Sequence, residues 1–232
     1  TGTTLSASAI NSYINGLEGA ETSAGLVVGD LDIAYEYLEA SRYGVVADGV
    51  VDDTNALTTA ILVASQAVSS ATGAVVVLPQ GTLSVSSMIT LPNRVTLRGS
   101  NGRGTIIKAT AGHSGPWMFH AVNGTSSMFN SFLQNLQIDC NSVAGLGGVR
   151  TQAWQENSGI RNCVIQNFRT SGIRFDDTYY GGASTCKLQD VEFFGSISGA
   201  SYGIEIQSVS PAGNFVVTLD NVIDANWTSG SF

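Results

Sequence analysis

LQNLQI, at residues 133–138, returns as IRNCVI at 160–165, as LQDVEF at 188–193 and as LDNVID at 219–224. Each copy runs aliphatic, polar, Asn or Asp, apolar, any residue, then apolar or aromatic, and the starts lie 27, 28 and 31 residues apart (133, 160, 188, 219). Recurrence at that length is the signature of a solenoid, in which one repeat cannot bury its apolar face alone and stacks on its neighbours. Stacking would place Leu133, Ile160, Leu188 and Leu219 in one inward column and Leu136, Cys163, Val191 and Val222 in a second. Asn135, Asn162, Asp190 and Asn221 would then form a polar stack at a turn, because Asn and Asp tolerate left-handed backbone and bond to neighbouring main chain. The template strains at Asp224, which falls where Ile138, Ile165 and Phe193 point inward. Either the register slips there or the local structure departs from the ideal.

A glycine-led strand follows in three of the repeats: GVRTQ from Gly148, GIRFDD from Gly172 and GIEIQ from Gly203. Side chains alternate along a strand, so Val149, Ile173 and Ile204 turn inward. Arg150, Arg174 and Glu205 then stack outside, and Gln152, Asp176 and Gln207 do so beyond them. The fold class is an all-β solenoid, a single-stranded parallel β-helix.

Upstream, Asp52 or Asp53 supplies an N-cap carboxylate, and Ala56, Leu57, Ala60, Ile61, Ala64, Ala67 and Val68 recur at helical spacing. This predicts a helix from about Thr54 to Ala71 whose apolar face, through Leu57, Ile61 and Ala64, caps the open end of the β-helix. The blocks YGVVADGVVDDTNAL from Tyr43, GAVVVLPQGTLSV from Gly73 and ITLPNRVTLRGSNGRGTII from Ile89 resemble the N-terminal segment of the pectate-lyase-like superfamily. That resemblance implies a right-handed parallel β-helix over residues 43–232. It also implies a function among those of its members, which include secreted polysaccharide-active enzymes and bacteriophage tailspikes. Fold and activity are separately inherited, so the resemblance alone does not choose between them. A polygalacturonase-type set of separated Asp motifs with Gly-His-Gly is missing, and no pectin-specific assignment follows.

Residues 1–42 read differently. Ile10, Ile14 and Leu17 fit a short helix capped by Ser8, and Leu31, Ala34 and Leu38 fit a second one. Short isolated helices are marginal in water, so these need a partner surface. The expectation is a helical neck through which several chains meet, the alternative being that these helices fold back on their own domain.

Hydrophobic residues make up 43% of the 232 and charged residues only 12%, with 27 Gly, which describes a strand-rich and turn-rich chain rather than a disordered one. A net charge of −8 argues against nucleic acid as a partner, since phosphate binding needs clustered Lys and Arg. No apolar run approaches the roughly 20 residues of a membrane-spanning helix. Cys140, Cys163 and Cys186 form no close pair and read as buried free thiols, without a disulfide framework or zinc site. His113 and His120 have no Cys or carboxylate at metal-ligand spacing and read as packing residues. Neither a metal nor another cofactor is expected.

Glycan cleavage on such a fold needs carboxylates: a pair for hydrolysis, or several holding Ca²⁺ beside a basic residue for lyase chemistry. Asp176 and Asp177, with Glu205 one rung on, are the candidate catalytic residues. The competing reading is a solvated ladder closed by an Arg174 to Glu205 pair, the commoner outcome for charges on a sheet. Arg150, Trp154, Arg174, Tyr179, Tyr180 and Tyr202 flank the same strands and are candidate substrate-binding residues. The aromatic ones qualify because a ring face with a polar rim suits a sugar.

Two function classes follow. One is a bacteriophage tailspike or tail-fibre subunit, a homotrimer in the virion, joined to other tail proteins through its N-terminal segment. It binds host cell-surface polysaccharide, and its capacity to depolymerise that polysaccharide is left open. The other is a free, secreted polysaccharide lyase or glycoside hydrolase. A structural virion part without sugar contact is a third. The helical segment ahead of YGVVADG favours the first, and the absence of a capping element after the last repeat gives the expectation that more chain follows Phe232.

Overall fold

The computed structural model describes residues 37–68, 73–124, 126–152, 154–176, 185–196, 202–207 and 215–225. The expected helices of residues 1–36 lie outside them, as do Asp177, Tyr179 and Tyr180. In chain order come β1 (Tyr37–Glu39), β2 (Asp48–Asp52), the helix α1 (Thr54–Ala67), β3 (Ala74–Val77), β4 (Gly81–Leu91), β5 (Val95–Arg98) and β6 (Thr105–Ala121). Then follow β7 (Phe132–Gln134), β8 (Gln137–Asp139), β9 (Gly147–Gln152), β10 (Gly159–Phe168), β11 (Ser171–Asp176), β12 (Cys186–Gly195), β13 (Tyr202–Gln207) and β14 (Val217–Asp224). These strands pair in parallel, and each rung contributes one segment to each of three faces, as in a right-handed parallel β-helix.

The first sheet holds β1, β3, β5, β7 and the leading parts of β10, β12 and β14. Its inward column is Leu38, Val76, Leu97, Leu133, Ile160, Leu188 and Leu219, strand by strand in register. The first six are buried, and Leu219, on the last described rung, is exposed. The second sheet is bordered by β2 and carries the column Leu83, Ile107, Ile138, Ile165, Phe193 and Asp224. The third sheet, formed by the ends of β4 and β6 with β9, β11 and β13, stacks Ile89, Phe119, Val149, Ile173 and Ile204. Burying one aliphatic side chain contributes about 1.5–3 kcal/mol, several times an exposed ion pair, so these columns set the register.

Asn135, Asn162, Asp190 and Asn221 all hold left-handed backbone, with φ of 56°, 49°, 53° and 52°. Asn162 Nδ2 donates to Asn135 Oδ1 at 3.0 Å, and Asn221 Nδ2 to Asp190 Oδ1 at 2.8 Å. This one-residue corner keeps the first two columns five residues apart in each of the last four rungs (133 to 138, 160 to 165, 188 to 193, 219 to 224). The other corners vary. From the second column to the third the spacing is 12, 11, 8 and 11 residues (107 to 119, 138 to 149, 165 to 173, 193 to 204). From the third back to the first it is 14, 11, 15 and 15 (119 to 133, 149 to 160, 173 to 188, 204 to 219).

No register slip occurs at Asp224. It stays opposite Phe193 and turns its carboxylate to accept the backbone N–H of Gly203 at 3.2 Å. The carboxylate uses the space a side chain at Gly203 would take, since a Cβ there would lie 2.4 Å from Asp224 Oδ2.

Helix α1 buries Leu57, Ala60, Ile61 and Ala64 against β1, β3, β4 and β5, and caps the stack as its apolar periodicity predicts. The two aspartates before it divide their tasks. Asp52 caps the helix, accepting the Thr54 N–H at 3.0 Å and the Thr54 and Ser86 hydroxyls. Asp53, fully buried, turns back to accept the N–H of Val46 at 2.8 Å and of Ala47 at 3.3 Å, fastening the preceding loop. The helical reading of residues 37–43 is corrected: Tyr37–Glu39 is a strand on β3, followed by a 3-10 turn at Ala40–Tyr43. Leu38 gains a place over Val76 in the core, which outweighs helical propensity in so short a segment.

The three cysteines are free and buried, and burial pushes the Cys163 and Cys186 thiols up to about 12. Among the described residues no helix is long and apolar enough to cross a membrane.

Candidate functional site

Inward burial of Phe119, Val149 and Ile173 fixes what the third sheet shows outside. His120, Arg150, Arg174 and Glu205 align across β6, β9, β11 and β13. Two residues further along, Gln152, Asp176 and Gln207 align in the same way.

Charge is paired along this face. Arg150 donates from Nε at 3.0 Å and Nη2 at 2.6 Å to one oxygen of Asp176. Arg174 Nη2 lies 3.0 Å from Glu205 Oε1, and the Ser171 hydroxyl donates to the other Glu205 oxygen. The Arg174 guanidinium also lies 5.0 Å above the Trp117 ring. That ring covers Gly147, where a Cβ would come within 2.2 Å of it. His120 Nε2 donates to Gln152 Oε1 at 2.6 Å, which leaves Nδ1 as the basic nitrogen. Burial holds His120 below its usual range and the Arg150 charge adds to this, while the Gln152 bond and Asp176 oppose it. The imidazole is therefore neutral at neutral pH.

The sequence-derived site is brought together in part. Arg150, Arg174, Asp176 and Glu205 share one face. Asp176 is only 3% exposed, beneath Arg150, whereas Arg174 and Glu205 are each about a quarter exposed. The Arg174 to Glu205 pair of the competing reading is present. Tyr202 stands exposed at the start of β13. Trp154 has no exposed surface; it packs in the core beside Met128, where no sugar ring can reach it. Sequence reading missed His120 as an outward residue; Trp117, only 4% exposed, is buried under the Arg174 guanidinium. The signal was period-two alternation from Trp117 to Ala121, which with Phe119 inward puts His120 outward on the rung before Arg150.

Chemically, the face offers the Arg150 and Arg174 guanidinium groups, the Glu205 carboxylate, the Gln207 amide and a neutral imidazole, with Asp176 and Gln152 buried beneath. Asp176 and Glu205 sit on neighbouring strands offset by two residues, which places their Cα atoms about 8 Å apart. Among the described residues no cluster of His, Cys, Asp and Glu could hold a metal ion.

A family model described as rhamnogalacturonase A/epimerase, pectate lyase-like, matches residues 37–232. The chain is 26% identical over 234 residues to the capsule-specific Depolymerase 1 of Klebsiella phage K5-2, covering 87% of this chain and 29% of that protein. It thus spans less than a third of that relative's length. Among solved structures, pre-mature gene product 12 of bacteriophage phi29 is similar with a TM-score of 0.62 and 20% identity, over 87% of this chain and 31% of that one. ORF18 of Geobacillus virus E2 is similar with a TM-score of 0.53 and 17% identity, over 86% of this chain and 50% of that one.

Proposed function

The chain belongs to the rhamnogalacturonase A/epimerase, pectate lyase-like family, and on that premise we propose that it is part of a bacteriophage tailspike or tail-fibre subunit that binds cell-surface polysaccharide. The observation that carries the reading is the ladder of the third sheet, where Arg150 over Asp176, then Arg174 beside Glu205, alternate donors and acceptors, Arg174 being held on the buried Trp117 ring. Guanidinium forks and carboxylates match the hydroxyls and acidic groups of a glycan. The similarity to a phage depolymerase over most of the chain supports the same substrate class and a virion setting. In this reading the subunit is a homotrimer, acts extracellularly and docks on other tail proteins through its N-terminal segment.

Binding of purified protein to capsular polysaccharides tests the site. Arg174→Gln with Glu205→Gln removes one donor–acceptor pair and is expected to weaken binding about tenfold or more; undiminished binding would send the site elsewhere. Asp176→Asn and Asp177→Asn separate binding from depolymerisation. Lost cleavage with retained binding assigns these carboxyls to catalysis, and unchanged cleavage removes them from it. Light scattering that reports a monomer would overturn the trimer.

A further inference from the structure

The outer face of the first sheet carries a second regular array. Arg98, Gln134, Arg161 and Gln189 align on successive rungs across β5, β7, β10 and β12. Arg42, Arg103, Arg150, Arg174 and Lys187 each pair with a carboxylate. Arg98 and Arg161 differ. Among the described residues neither forms an ion pair, and each guanidinium lies over an aromatic ring: Arg98 at 5.0 Å from the Tyr37 centroid, Arg161 at 4.1 Å from that of Phe132. Arg161 Nε is buried without a hydrogen-bond partner. A ring beneath a guanidinium fixes its plane while leaving the in-plane N–H groups to an acceptor from outside. Strand spacing puts Arg98 and Arg161 about 10 Å apart with an amide between them.

We propose that this Arg-Gln-Arg-Gln ladder, on a different face from the third-sheet site, is a second glycan-binding surface that takes an acidic polysaccharide with carboxylates on alternate sugars. The inference rests on the polysaccharide reading above for its class of polymer and on charge complementarity for its acidity. A guanidinium fork donates two parallel hydrogen bonds to a carboxylate, and the intervening Gln amides suit the hydroxyl or N-acetyl groups of the neutral sugars. A strand laid along the solenoid axis meets charge, amide, charge and amide in turn.

The test uses the whole chain with immobilised hyaluronan and chondroitin, which alternate a uronate with an amino sugar, and neutral dextran as control. Binding to the first two and not to dextran is expected. Arg98→Gln with Arg161→Gln is expected to weaken it about tenfold or more, and Arg98→Lys with Arg161→Lys to weaken it less, since charge is kept and the fork lost. Unchanged melting of the variants assigns the loss to contact rather than folding. No binding to either acidic polymer overturns the proposal. So does loss on Arg174→Gln with the Arg98 and Arg161 variants unaffected, a result that leaves the third-sheet site standing. The reverse pattern supports this ladder. If light scattering shows that the double Gln variant loses self-association and not glycan binding, the face joins copies of the chain and the proposal falls.

Discussion

Asn162 combines two properties that few residues supply together: a left-handed backbone, which costs most L-residues about 1–2 kcal/mol, and a side-chain amide reaching Asn135 on the next rung. Asn162→Ala is expected to lower stability by about 1–3 kcal/mol through backbone strain and the lost bond. Asn162→Gly relieves the strain alone and should fall between Ala and wild type. Urea midpoints check the order, and an Ala variant as stable as wild type would show that the ladder is idle. Asp53→Ala leaves the N–H groups of Val46 and Ala47 without their acceptor and is expected to cost about 1–3 kcal/mol. The Asn stack was legible because the template repeats it. The division of labour between Asp52 and Asp53 was not, because adjacent carboxylates at a helix start look alike until the fold shows which one faces the loop.

At the level of elements, α1 is held by one apolar stripe. Leu57→Ala is expected to cost about 2–5 kcal/mol by leaving a cavity under the cap, whereas Leu62→Ala, at a site 54% exposed, should leave the thermal midpoint nearly unchanged. Equal effects would mean that the helix does not cap the stack. Strand β6 predicts a pH effect. Burial holds His113 below its usual value of 6.5, so the unfolded chain takes up a proton that the folded one resists. Stability contributed by neutral His113 is therefore complete above pH 6.5 and declines as pH falls below it towards the folded-state value. Melting between pH 7.5 and 5 should show that decline, and His113→Gln should flatten it in part, since burial holds His120 down as well. The helix and the glycine-led strands could be read from their periods. Strand β1 could not, because three residues carry no period and their pairing partner lies nearly forty residues away.

For the molecule as a whole, strand pairing joins each rung to its neighbours, and the Arg103 to Glu192 ion pair is a contact that reaches further, so stability is close to a sum of nearest-neighbour terms and opening starts at the ends. Hydrogen exchange is expected to be slowest in the middle rungs, around Leu133 and Ile160, and faster at β14, where Leu219 and Ile223 are exposed. Uniform protection would contradict a one-dimensional stack. The fold was legible because its repeat is long-range and regular, and the site only partly so. Alternation placed Arg150, Arg174 and Glu205 on one face but could not show that Asp176 sinks beneath Arg150, or that Trp154 faces the core, since both depend on what packs around the corners. Those corners differ in freedom. The Asn corner is fixed at one residue, while the two bends beside the third sheet differ in length from rung to rung. Length changes from rung to rung therefore collect along the borders of the polar face and spare the stacked interior, so this architecture separates a fixed frame from a margin free to vary. A change of loop length at either bend can recast the banks of the polar face while the bed of stacked columns stays in place.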